Sequence, residues 1–176
     1  ARGGARVNGR WVVVGKVWDC TGGYSKFRRR PGSVIRPWPT LLRSGWVSGG
    51  TVRGRSGFVA VTGTLGQQVY LLDGAYRQVA SYPPPGQRHD GINDVRFADL
   101  NQDGAPELYV GFWGPLGVHV ISLDGQRSWS SRVAANVLSL APRPGSGAYA
   151  GALLVSNDRG GIYVFDAKGE SKRTIT

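Results

Sequence analysis

FADLNQDGAPELYVGFWGPLGVHVISLDG, residues 97–125, holds the pattern from which the rest of the chain is understood. An apolar stretch runs into a polar loop, DLNQDG; a second apolar run, ELYVGFWG, ends in Gly and Pro; a third, VHVISLDG, ends in Asp and Gly. Short apolar runs rich in Val, Leu and Tyr, punctuated by Gly, Pro, Asn and Asp, predict strands and tight turns. No stretch of ten residues carries a clean 3.6-residue apolar period with caps, so little helix is expected.

The same order of pieces recurs along the chain. VWDCTGGYSKF from Val17, VYLLDGAYRQVASY from Val69, VHVISLDGQRSWSS from Val118 and IYVFDAKGESKRT from Ile162 each place an apolar stretch before Asp, then a turn with Gly, then a more polar strand. Their shared aspartates, Asp19, Asp73, Asp124 and Asp166, are 54, 51 and 42 residues apart, the length of a supersecondary unit. Ahead of the last three lie GFVAVTGT, ELYVGFWG and ALLVSNDRG, and ahead of those GWVSGGTV, INDVRFADL and NVLSLAPRPG. Each unit therefore contains about four short strands, and a four-stranded unit every 40 to 50 residues is the signature of a β-propeller blade. The expected fold is all-β, with four-stranded antiparallel blades over residues 33–84, 85–133 and 134–176, and a partial blade over residues 1–32. The polar fourth strands are expected outermost. About three and a half blades sit at the lower edge of the roughly four to eight that close a ring. The expectation is a segment of a larger propeller, or a ring completed by another copy or a partner; the alternative is a four-bladed ring closed between the N-terminal strands and SKRTIT.

Composition sets the outer limits. The chain has 176 residues, 40% of them hydrophobic, enough for a core, and 28 are Gly. Its longest apolar runs, such as WVVVG at 11–15 and GALLV at 151–155, are too short for a transmembrane helix. The sequence starts with Ala, contains no Met and lacks an apolar leader, as expected of a mature or excised piece. Cys20 is the only cysteine, which leaves no internal disulfide and no Cys-based zinc site.

Charge is uneven. Residues 1–55 hold ten Arg and two Lys against one acid, Asp19, while residues 56–176 are balanced at ten of each sign, so the net charge of +11 lies in the first third. Lys26, Arg28, Arg29 and Arg30, near Trp18, Trp38 and Trp46, form a candidate polyanion-binding patch for nucleic acid or acidic glycan. The competing reading is a solvated face whose charges discourage edge-to-edge aggregation.

The loop at Asp99 raises the sharpest chemical question. Asp99, Asn101 and Asp103 put oxygen-bearing side chains at alternate positions, Gly104 follows, and Glu107 adds a carboxylate. In a tight loop these side chains, with the Ala105 carbonyl, can face one ion. An EF-hand is excluded because position 110 is Val. A polar turn closed by hydrogen bonds to Asp99 and Asp103 remains the alternative.

With these residues in view, the units resemble the FG-GAP and pyrroloquinoline-quinone-like propeller repeats, best over residues 97–125 and loosely before residue 57. The resemblance implies calcium at Asp99, Asn101, Asp103, Ala105 and Glu107, with Asn101 and Glu107 standing where that pattern has Asp. It also implies an extracellular or periplasmic location. The third unit, residues 134–176, lacks the acids, so one calcium is expected.

No catalytic signature appears: the chain has no G-x-S-x-G, H-E-x-x-H or C-x-x-C. His119, between Val118 and Val120, is expected to point outward from a strand; His89 and Asp90, with Asp94 close by, could form a dyad, but the favoured reading is a turn held by Asp90 and Asn93. A segment of a quinone-dependent dehydrogenase-like propeller is a further alternative, since such enzymes use blades of this appearance, but the Trp that closes each of theirs occurs here only as Trp129. The expected function is a non-enzymatic scaffold that binds another protein, a glycan or another copy of itself.

Overall fold

The computed structural model describes residues 3–7, 10–14, 45–50, 58–63, 66–73, 77–147 and 149–175. Lys26 and Arg28–Arg30 lie outside them, as does Cys20.

All regular structure among the described residues is β. The strands are β1 Gly3–Val7, β2 Arg10–Val14, β3 Gly45–Gly50, β4 Phe58–Gly63, β5 Val69–Leu72, β6 Gln78–Tyr82, β7 Ile92–Ala98, β8 Glu107–Phe112, β9 Val118–Ile121, β10 Arg127–Ser131, β11 Val137–Arg143, β12 Ala152–Asn157, β13 Ile162–Phe165 and β14 Ser171–Ile175. β1 and β2 form an antiparallel pair. β3–β6, β7–β10 and β11–β14 form three four-stranded antiparallel sheets, each connected in sequence order. The repeated four-strand unit is thus observed three times. No helix among the described residues is long and apolar enough to cross a membrane.

The sheets lie side by side through their first strands, with β3 beside β7 and β7 beside β11. The second sheet is consequently covered on both faces. Along β8, Leu108, Val110 and Phe112 join Ala60, Val69 and Ile92 in one core cluster, while Tyr109 joins Val137, Leu140, Leu153 and Phe165 in another. β9 divides the same way, with Ile121 on the first seam and Val118 and Val120 on the second. Gly111 shares the Tyr109 face, and an added Cβ there would stand 2.6 Å from Val137 Cγ1. Its missing side chain lets the third sheet approach. Burial of each Val, Leu or Phe on these seams stabilises the fold by about 1.5–3 kcal/mol.

The outer strands are polar, as expected. β10 and β14 are largely exposed, whereas β8 and β9 are almost wholly buried. β14 pairs with β13 as the fourth strand of its own sheet.

The expectation that His119 points outward is corrected: the residue is 3% exposed. Alternation along a strand separates core from solvent only when one face is wet, and here both faces of β9 are covered. His119 points into the seam with the first sheet.

Candidate functional site

The loop between β7 and β8 brings together the side chains singled out in the sequence. Positive φ at Gln102 (60°) and Gly104 (89°) turns the chain tightly enough for its carboxylates to face their own backbone. Asp103 N–H donates to Asp99 Oδ1 and to Asn101 Oδ1, each at 3.1 Å, and Gly104 N–H donates to Asp99 Oδ2 at 3.0 Å. Ala105 enters through its N–H, which donates to Asp103 Oδ1 at 2.8 Å.

Asn101 sits at the centre. Its Nδ2 donates to Asp103 Oδ2 at 3.0 Å and to Glu107 Oε1 at 2.7 Å, so one neutral amide draws two carboxylates together. Tyr109 OH donates to Glu107 Oε2 at 3.4 Å. Partial burial pushes the Glu107 carboxyl above its ordinary value, and the nearby Asp103 and Asp99 charges push it further. Burial, then Glu107, raise the Tyr109 hydroxyl as well. In this arrangement the loop is closed by its own hydrogen bonds, and no group of three His, Cys, Asp or Glu among the described residues is placed to hold a metal ion. The donor set itself is all hard oxygen, the type suited to calcium.

The other polar groups serve the seams between sheets. His89 has both ring nitrogens on backbone: Nε2 donates to Gln67 O at 2.7 Å, and Nδ1 accepts Gly91 N–H at 3.1 Å. Asn93, expected to hold that same turn, instead reaches the next sheet, where Nδ2 donates to Val137 O at 2.8 Å. Asn136, at φ 51°, exchanges hydrogen bonds with Gly114 through its backbone N–H and side-chain Oδ1, and its Nδ2 donates to Asp158 Oδ2 at 2.9 Å.

Two seam residues escaped the sequence reading as functional groups. Asp94 is fully buried, and its carboxylate accepts Leu140 N–H at 2.8 Å, Ser139 Oγ–H at 3.2 Å and Val95 N–H at 2.9 Å, with Arg96 Nη2 at 3.2 Å. The one visible signal was an acid inside the apolar alternation of INDVRFADL.

His119 is the second. Its Nδ1 lies 2.8 Å from Tyr82 OH across the first seam, and its ring packs on Phe112 with centroids 4.7 Å apart. Burial, aided by Arg127, Arg132 and His89, lowers the His119 pKa from 6.5 to about 4. The ring is neutral near pH 7, so Nδ1 accepts from the Tyr82 hydroxyl. Because the folded value lies below the unfolded one, this stability is present above about pH 6.5 and is lost as pH falls towards 4. Urea midpoints should show a loss of about 2 kcal/mol between pH 7.5 and 4.5. The double variant His119→Phe with Tyr82→Phe removes both polar partners together and should flatten that limb; an equal acid loss in the variant would place the titration elsewhere.

The chain matches no family model, and no curated protein is similar to it in sequence.

Proposed function

We propose that the three sheets are blades of a β-propeller and that the chain serves as a non-enzymatic scaffold for protein or glycan binding. One observation carries this reading: the first-to-second and second-to-third junctions are built alike, with neighbouring first strands and an apolar face of each sheet laid on the next. A unit that repeats its junction generates a curved stack, and a ring is its edge-free completion. In such a stack the loops at the strand ends are the free surface for partners, and the fold alone does not name them.

Calcium at the Asp99 loop is part of the proposal, in a structural role. Asp99, Asp103 and Glu107 would hold the ion through carboxylates, and Asn101 would contribute Oδ1 once its amide turned over. The ion would supply the positive charge that the Asn101 amide now replaces, relieving repulsion among three acids on one short loop. Thermal melts in 1–2 mM CaCl2 and in excess chelator test this; a rise in midpoint of a few degrees with calcium, absent in Asp99→Asn/Asp103→Asn, is the expected result. Identical melts would leave the loop a hydrogen-bonded turn. The concentration of the whole net charge in residues 1–55 favours a second reading, polyanion binding through Lys26 and Arg28–Arg30. Binding to heparin or nucleic acid that falls steeply with salt would support it.

A further inference from the structure

We infer that mild acid opens this protein at one seam. Both of its histidines stand where the first sheet meets the second, each accepting through Nδ1 a hydrogen bond that protonation removes, whereas the seam between the second and third sheets is held by groups that keep their bonds in acid. The two seams are alike in shape and opposite in chemistry.

The first seam is centred on the Phe112 ring of β8. His119 of β9 packs on that ring with centroids 4.7 Å apart, and His89, from the connector between β6 and β7, meets it edge-on at 5.1 Å. His119 Nδ1 accepts from the Tyr82 hydroxyl of the first sheet at 2.8 Å. His89 Nε2 donates to Gln67 O, in the turn between β4 and β5, while its Nδ1 accepts Gly91 N–H. One residue further on, Ile92 N–H donates to Gly66 O at 2.9 Å. The imidazoles thus sit among the bonds that join the two sheets.

An imidazolium carries a proton on both nitrogens and has no acceptor. Protonation therefore leaves Gly91 N–H without its partner and sets a second donor against the Tyr82 hydroxyl in a buried site, where an added charge is costly. Nothing that faces His119 offsets it. Among the described residues the charged groups acting on it are Arg127 of β10, Arg132 of the loop that follows and His89 across the Phe112 ring, and none carries a negative charge. With burial they hold the His119 pKa at about 4, below its ordinary 6.5, so the seam is intact at neutral pH and weakens as pH falls from about 6.5 towards 4.

The second seam answers acid in the opposite sense. Asp94 Oδ2 receives the donors that cross from the third sheet, Leu140 N–H at 2.8 Å and the Ser139 hydroxyl at 3.2 Å, together with Arg96 Nη2. Its Oδ1 accepts Val95 N–H from the same strand. A proton on Oδ1 displaces that local bond and leaves those across the seam in place. Burial raises the pKa of this carboxyl, so its contribution to folding grows as pH falls through the folded value. Asn93 Nδ2 on Val137 O and Trp129 Nε1 on Ala167 O tie the same two sheets, and neither side chain titrates. Acid thus loosens the joint that carries the first sheet and leaves the second and third sheets together. Opening uncovers Leu108, Val110 and Phe112, an apolar face of the second sheet that is buried at neutral pH.

Hydrogen exchange of the 176-residue chain at about pH 7.5 and 4.5, with rates corrected for their intrinsic pH dependence, tests this. Protection of the β4 and β5 amides should fall by about 30-fold, because a four-stranded sheet deprived of its packing face opens readily, while that of β12 and β13 falls by less than about threefold. In His119→Phe with Tyr82→Phe most of the fall in β4 and β5 should disappear. An equal fall in all three sheets, or a larger one in β12 and β13, would overturn the inference, as would an undiminished fall in the double variant. The wild-type pattern alone decides which seam opens, whatever the stability of the variant.

Discussion

Alanine in place of Asp94 is expected to lower the stability of the protein by about 2–4 kcal/mol, read from the urea midpoint at unchanged m-value. The carboxylate belongs to β7, yet it accepts the backbone N–H of Leu140 on β11 at 2.8 Å and the Ser139 hydroxyl at 3.2 Å. Removing it leaves that buried N–H without its acceptor, and it strips Arg96 of a carboxylate 3.2 Å away. Burial raises the Asp94 pKa, against the pull of the Leu140 N–H and Arg96. The sign follows: a folded value above the unfolded one means that this group favours folding most below pH 3.8 and less as pH rises through the folded value. At neutral pH the charge is held at a cost that its donors offset, so the loss in the variant reflects stranded donors more than lost Coulomb energy. Asp94→Asn keeps one acceptor oxygen and should fall between wild type and alanine. A change below about 0.5 kcal/mol for Asp94→Ala would show that the seam does not depend on this carboxylate.

Strand positions were legible because each rests on local chemistry. GFVAVTGT, ELYVGFWG and ALLVSNDRG are apolar runs cut by Gly, Asn or Asp, and they became β4, β8 and β12. The loop acids were legible as a group for the same reason, since alternate spacing fixes which side chains share a concave turn. Backbone closure onto Asp99 and Asp103 was one of the two readings that the spacing offered, and the loop shows it; the Asn101 amide bridging Asp103 and Glu107 was not legible, because sequence spacing does not orient an amide. Asp94 was hidden because its principal donor lies 46 residues away. His119 misled because VHVI alternates as an edge strand does, while all four of its residues are buried between two neighbouring sheets.

Phe165→Ala should cost about 3–5 kcal/mol, the largest effect of any single change discussed. Phe165 is fully buried at the end of β13, in one cluster with Tyr109 and Val120 of the second sheet and Leu153 and Val155 of its own. Its ring lies 6.2 Å from that of Trp129, which in turn meets Tyr109 edge-on at 6.3 Å, so truncation opens a cavity beside the Trp129–Tyr109 pair. Phe165→Leu keeps most of the volume and should cost much less, about 1–1.5 kcal/mol. The seam location gives a second readout, because a cavity between the second and third sheets weakens that junction before it touches the first. Hydrogen exchange in Phe165→Ala should accelerate across β11–β14 while the amides of β4 and β5, in the first sheet, change less. Uniform acceleration over all three sheets would mean that they unfold as one cooperative unit, and the repeat would then be a matter of geometry without independent stability in each unit.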